Sequence, residues 1–185
     1  MRVIAGEARS LPLKTVRSLD VRPTTDKIKE TLFNILMPYL NGCRFLDLFA
    51  GSGAIGIEAI SRGAREAVFV ENSRPAQTCI EDNLAFTKFT DRSRLIKSDV
   101  FTALRRLEGQ GAFDVIFMDP PYDGGYEKEV LRYLKDSSLT SPDTLIVVEA
   151  SRETDFSYLD RWGYQIVKDK LYKTNRHIFL KKGQD

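Results

Sequence analysis

Residues 45–64 read FLDLFAGSGAIGIEAISRGA, and the order of residue types in this stretch decides the fold. An apolar run, CRFLDLF (43–49), gives way to Gly51-Ser52-Gly53 and then to a helix-period segment, AIGIEAISRG. That is strand, tight turn, helix. Working outward, the same unit repeats. Apolar runs at 66–71 (EAVFVE), 93–99 (SRLIKSD), 113–119 (FDVIFMD) and 144–150 (TLIVVEA) alternate with RPAQTCIEDNLAFTK, VFTALRRLEG and YEKEVLRYLKD. Strands alternating with helices through short connections predict an α/β domain with a mostly parallel, doubly wound, Rossmann-like sheet.

The two ends of the chain depart from the repeat. RVIAG and LPLKTV read as a short, hairpin-like N-terminal arm. RPTTDKIKETLFNILMPYL reads as a helix capped by Thr24 or Thr25, with Ile28, Leu32, Ile35 and Leu36 on one face and Pro38 ending it. After Trp162-Gly163, YQIVKDKLYK and NRHIFLKK flank Thr174-Asn175 and predict a C-terminal antiparallel hairpin. Residues 1–185 are thus expected to form a single domain, with an arm and helix over 1–40 and a catalytic core over 41–185.

Composition narrows the functional classes. A 42% hydrophobic and 29% charged content is that of a globular domain able to bury a core. No run approaches a membrane span and no signal-peptide pattern is read, so a cytoplasmic protein without membrane contact is expected. Cys43 and Cys79 have neither metal nor disulfide spacing and read as buried thiols. A single histidine, His177, argues against a histidine-rich metal centre, and no metal is expected. His177 itself reads as an ordinary strand residue, and Trp162 as core or turn packing. Net charge is only +2, but basic residues gather at both ends: Arg2, Arg9, Lys14, Arg17 and Arg22 in the arm, and Lys168, Lys170, Lys173, Arg176, Lys181 and Lys182 in the hairpin. Such clusters can draw in phosphates, although charge runs are more often a solvated face.

Four of the first five strands finish on or near an acid: Asp47, Glu71, Asp99 and Asp119. Ligands of open α/β sheets sit beyond the carboxyl ends of the strands, so these acids are expected to line one crevice. Gly51-Ser52-Gly53-Ala54-Ile55-Gly56 matches the G-x-G-x-x-G pattern, with Glu71 where a dinucleotide fold places its ribose ligand, so a nicotinamide cofactor has to be weighed. Charge opposes it. Asp47 would repel a pyrophosphate, whereas S-adenosylmethionine carries a sulfonium and an ammonium. On this reading Gly51 and Gly53 admit the cofactor closely, Glu71 accepts its ribose hydroxyls, and Asp99 takes the adenine amino hydrogen.

With a methyl donor in the crevice, Asp119-Pro120-Pro121-Tyr122 acquires a role. Two prolines stiffen a strand end that carries a carboxylate. The carboxylate and a backbone carbonyl can each accept one hydrogen of a planar exocyclic amine, turning its lone pair toward the methyl group. Tyr122 offers a face on which a flipped base can stack. Asp123-Gly124-Gly125 suggests a mobile loop beside the pocket.

VRPTTDKIKETLFNIL (21–36), the 45–64 stretch, VFVEN (68–72), KSDVF (97–101) and FDVIFMDPPYDGGY (113–126) together resemble the bacterial RsmD methyltransferases. The resemblance covers nearly the whole chain and is weakest after about residue 150. It implies a class I Rossmann-like fold and methylation of the exocyclic N2 of one guanine in 16S rRNA of the small ribosomal subunit, by a monomer. It further implies Asp47, Gly51, Ser52, Gly53, Glu71, Asn72, Asp99 and Val100 as cofactor contacts, and Asp119, Pro120, Pro121 and Tyr122 as the catalytic tetrad. Arg22, Pro23, Thr24 and Thr25 would stand beside the active site, and Arg9 would contact RNA. One departure stands out: family members commonly carry an aromatic-Arg-Gly-Arg element in the arm, and here the stretch is Ala5-Gly6-Glu7-Ala8-Arg9-Ser10-Leu11. Three alternatives stay open: methylation of adenine N6, methylation of a protein amide, and an assembly factor without turnover.

Overall fold

The structure, a computed structural model, describes residues 1–16, 25–122 and 124–183. Arg22, Pro23 and Thr24 therefore lie outside the described residues, as does Asp123.

The chain runs α1 (Asp26–Leu40), β1 (Arg44–Asp47), α2 (Ala54–Ser61), β2 (Glu66–Glu71), α3 (Arg74–Thr87), β3 (Ser93–Lys97), α4 (Val100–Leu107), β4 (Val115–Met118), α5 (Tyr126–Lys135), β5 (Leu145–Ser151), β6 (Tyr164–Leu171) and β7 (Asn175–Lys182). Single-turn 3-10 segments sit at Thr90–Arg92 and Asp160–Trp162. The seven strands form one sheet in the order β3-β2-β1-β4-β5-β7-β6. The first five are parallel, and β7 turns antiparallel on β5. The α/β fold, its parallel core and its closing hairpin are as the alternation predicts.

Strand periodicity divides the core. Phe45, Val115, Phe117, Val147 and Phe179 face α1, α2, α3 and the arm, meeting Phe33, Leu36, Ile57, Ile60 and Ile80. Leu46, Ile116, Met118, Val148 and Ile178 face α4 and α5, meeting Leu104, Leu107, Val130, Leu131 and Leu134. Successive strand residues point to opposite faces, so this arrangement sends Asp47, two residues after Phe45, to the first face. There is no side chain at Gly56 because there is no room for one. A Cβ placed there would stand 2.3 Å from the Phe69 ring, so α2 lies directly on β2.

Two local expectations are corrected. Pro38 does not end α1, which runs to Leu40. Proline costs a helix its N–H and crowds the carbonyl four residues back, but here that carbonyl belongs to exposed Asn34 in the final turns, where water can meet it. The buried face of α1 is Lys29, Leu32, Phe33, Leu36 and Leu40, rotated from the expected stripe, with a lysine inside it. Gly124 and Gly125 lead from the tetrad side into α5. Gly125, at φ 61°, caps α5, and a Cβ on Gly124 would strike the Tyr126 ring at 2.3 Å.

The N-terminal arm pairs with itself through a bridge between Arg2 and Pro12 and docks on α2. Glu58 takes the backbone N–H of Ile4 at 2.8 Å and of Ala5 at 3.1 Å. It also receives Arg62 Nε at 2.7 Å and Lys29 Nζ at 3.2 Å. Lys29 donates in addition to the Arg2 carbonyl. Ser61 Oγ accepts from Ala8 N at 2.9 Å and donates to the Ala5 carbonyl at 2.7 Å. Ala8 is buried in this contact.

In the hairpin, β6 is one of the sheet's two edge strands, with β3 at the other end. Its register with β7 slips between Ile166 and Lys168, leaving Val167 as a bulge. Among the described residues, no helix is long and apolar enough to cross a membrane.

Candidate active site

The strand order sets Asp99, Glu71, Asp47 and Asp119 in a row, at or just beyond the carboxyl ends of β3, β2, β1 and β4. The fold thus brings the four expected acids to one rim, but their environments differ. Asp99 caps α4, accepting Thr102 N at 3.0 Å, and this hydrogen bonding holds its carboxyl below the ordinary range. Glu71 accepts Gly51 N and Ser73 N, each at 2.8 Å. It therefore ties the glycine turn to the end of β2, which leaves lone pairs on both oxygens for further donors.

Asp47 is unlike either. It is 1% exposed, and among the described residues neither carboxyl oxygen has a hydrogen-bond partner. Burial raises its pKa from 3.8 to about 7. The backbone N–H groups of Gly56 and Phe49 pull the other way without closing to hydrogen-bond geometry, and the charge of Glu71 adds to the rise. A buried carboxylate without a donor is costly and calls for a cation or a donor from a ligand. The glycine turn beside it holds Gly51 at φ 57° and Gly53 at φ 80°, a region that favours glycine. Ser52 is held by its carbonyl, which accepts Asn83 Nδ2 at 2.9 Å. Asn72 is exposed, and Val100 is buried at the start of α4.

Asp119 follows β4, with Pro120 buried and Pro121 exposed behind it. The residue keeps part of its surface open, while its carboxyl is held well above the ordinary range by desolvation, by Glu149 and by Asp47. Tyr122 is 54% exposed and forms one wall of a cleft with Lys128, Ser151, Thr154 and Tyr158. A second cleft lies away from these acids, lined by Tyr39, Cys43, Asp114 and Lys181, and gathers no comparable chemistry.

Comparison with known proteins fits this geometry. A family model described as conserved hypothetical protein 95 matches residues 1–181. Ribosomal RNA small subunit methyltransferase D of Haemophilus influenzae is 34% identical over 171 residues, covering 92% of this chain and 88% of that one. The protein of the same name in Escherichia coli is 36% identical over 154 residues, covering 83% and 76%. The chain belongs to the RsmD methyltransferase family. The solved structure of yhhF from Escherichia coli superposes on it with a TM-score of 0.85 at 30% identity, over 100% of this chain and 99% of that one.

Within this RsmD-family chain, Thr25 is exposed and caps α1, its hydroxyl accepting Ile28 N at 3.3 Å. Arg9 is exposed on the arm. Sequence reading missed Glu149, Asn175 and His177, which are buried on β5 and β7. The reading of His177 as ordinary is corrected, because its Nε2 lies 2.9 Å from Glu149 Oε2. The available signal was TLIVVEA itself, whose apolar run holds an acid that the parallel register sets beside Asp119. Trp162 packs against Tyr158 with ring centroids 4.5 Å apart.

Asp47 supplies a test of the site. Its raised pKa gives a stability contribution that is fully present below 3.8 and lost as the pH rises through about 7. Asp47→Asn is expected to remove that loss and stabilise the unliganded protein at pH 8 by about 2–4 kcal/mol, taking roughly 1.4 kcal/mol per pKa unit. Urea denaturation at pH 5 and pH 8 measures it. The same substitution, like Asp47→Ala, should weaken cofactor binding about tenfold or more by calorimetry. Unchanged affinity would remove the charge argument for the cofactor.

Proposed function

We propose that this chain transfers the methyl group of S-adenosylmethionine to the exocyclic N2 of a guanine in 16S rRNA of the small ribosomal subunit. The observation that carries the reading is the pairing, on adjacent strands, of a buried carboxylate without a partner and a proline-stiffened acid with an exposed tyrosine beside it. Membership of a family whose relatives are named for small-subunit rRNA methylation supports it.

The residues present fit the cofactor. Asp47 offers negative charge where a cationic ligand would relieve it, Gly51, Ser52 and Gly53 expose backbone, and Glu71, Asn72, Asp99 and Val100 continue the rim. S-adenosylmethionine supplies, when bound, a methyl group on an electrophilic sulfonium. Asp119 and the Pro120 carbonyl orient the acceptor amine, Pro121 stiffens the turn, and Tyr122 stacks on the base. Residues 41–185 are assigned to catalysis and residues 1–40, which include Arg9, Arg22, Thr24 and Thr25, to meeting the RNA. Arg9 and Arg22 are suited to phosphate contacts, which position a nucleic acid without specifying sequence.

The experiment is methyl transfer from labelled S-adenosylmethionine to small subunits from cells lacking this gene, with naked 16S rRNA and DNA alongside and digestion to nucleosides. N2-methylguanosine from subunits is the expected product. N6-methyladenosine, or no transfer to any of the three despite cofactor binding, would overturn the assignment.

A further inference from the structure

Three carboxyls share the sheet face that carries the proposed chemistry: Asp47 on β1, Asp119 after β4, and Glu149 on β5. Met118 pairs with Val148, so the parallel register sets Asp119 beside Glu149. Their hydrogen bonding is unequal. Glu149 Oε1 accepts Asn175 Nδ2 at 2.7 Å, and Oε2 lies 2.9 Å from His177 Nε2. His177 Nδ1 in turn stands 3.3 Å from the Tyr172 hydroxyl, and its ring packs edge-on against Phe117, with centroids 6.3 Å apart. A hydroxyl donated to Nδ1 leaves the imidazole proton on Nε2, facing the carboxylate. Glu149 thus receives a donor on each oxygen, while Asp47 receives none among the described residues.

Hydrogen bonds to the charged form of a carboxyl favour that form. Glu149, with a side-chain partner at each oxygen, is the carboxyl of this face best furnished to carry negative charge. Other charged groups nearby are already engaged. Lys29, Glu58 and Arg62, on the helices over this face, pair with one another, and Lys170, opposite His177 on β6, lies over the Tyr172 ring. The charges acting on Asp119 come from Glu149 and Asp47, and both oppose its ionisation.

We propose that Glu149, held by Asn175 and His177, is a positioning residue of the reaction, whose fixed charge makes Asp119 the group that takes the proton shed by the acceptor amine. This rests on the methyl-transfer reading. As the donor's S–CH3 bond breaks and the N–CH3 bond forms, the amine nitrogen becomes positive. The electron pair of one N–H bond returns to nitrogen, and that proton ends on an Asp119 oxygen. An aspartate in water is a weak base for this step. The step starts from ionised Asp119, and an ionised aspartate beside a second buried carboxylate is a stronger base, because the neighbouring negative charge favours its protonated form.

The test reads Asp119 directly. Protein labelled with 13C at the aspartate carboxyls would be titrated by NMR without substrate, with the Asp119 signal assigned by its loss in Asp119→Asn. Glu149→Gln is expected to lower the Asp119 midpoint by about one pH unit or more, and Glu149→Asp to retain most of the upward displacement. Asn175→Ala, which removes one donor and leaves the carboxyl in place, should move it the same way by less, and serves if Glu149→Gln does not fold. The acid limb of kcat should move down with it. An Asp119 midpoint unmoved in a folded Glu149 or Asn175 variant would overturn the proposal, as would a moved midpoint with an unmoved acid limb. A moved midpoint in a protein that methylates no RNA would sink the functional reading and leave the Glu149–Asp119 coupling standing.

Discussion

Asp119→Ala is expected to lower turnover by about a thousandfold while leaving the affinity for S-adenosylmethionine within severalfold. Removing one preorganised group aimed at developing charge typically costs 10²–10³ in rate, and Asp119 would lose its orienting and proton-accepting roles together. Its position explains the expected separation of effects. It stands after β4, next to buried Pro120 and close to the cleft walled by exposed Tyr122, whereas the glycine turn and Glu71 lie on the other side of β1. Asp119→Asn divides the two roles, because an amide oxygen still accepts one amine hydrogen but cannot take the proton. Single-turnover methylation and calorimetry on both variants measure this. Loss of cofactor binding in Asp119→Ala would show that the tetrad holds the cofactor instead of the acceptor.

The second large effect is on stability. Glu58→Ala is expected to destabilise the fold by about 3–5 kcal/mol, the usual cost of leaving a buried ionic partner uncompensated. Glu58 is fully buried and gathers Lys29, Arg62 and the backbone N–H groups of Ile4 and Ala5. Without it, two cations and two amides are stranded. Lys29 is already disfavoured as a cation by its burial, an effect that Glu58 partly offsets. For a chain of this length the loss corresponds to a melting temperature lower by about 10 °C or more. Lys29→Met should cost less, because Glu58 then keeps Arg62 and both amides. Thermal unfolding of the two variants side by side checks the ordering, and an equal cost for both would show that the hub is not centred on Glu58.

Glu58 also marks where sequence reading stopped. In AIGIEAISRG it looks like the solvent side of an amphipathic helix, and Lys29 looks the same in KIKETLFNIL. Each is buried among partners from other segments, and no periodicity in a single helix encodes a partner on another. The strands were legible for the opposite reason. Runs such as VIFM (115–118) are apolar throughout because both faces of a parallel strand are covered, and their acidic ends follow from where such sheets bind ligands. Asp47 and Asp119 could thus be named from local pattern together with topology. Glu149 was only half legible, because its run and register set it beside Asp119 while its partners Asn175 and His177 lie on β7, which reaches β5 from the far end of the chain. Pro38 misled in a simpler way, since its penalty depends on whether the carbonyl it orphans can meet water.

The bulge at Val167 bears on how the molecule behaves in a crowded solution. β6 is an outer strand whose row of backbone donors and acceptors could template a strand from another molecule. Ile166, Val167 and Leu171 are each about half exposed along it, which by itself would make it adhesive. The slipped register bends that row out of line, and Lys168, Asp169 and Lys170 crowd it with charge. An incoming strand would have to match a kink and desolvate lysines. The bulge and the charged side chains therefore make β6 a poor template for an added strand, despite its exposed apolar residues.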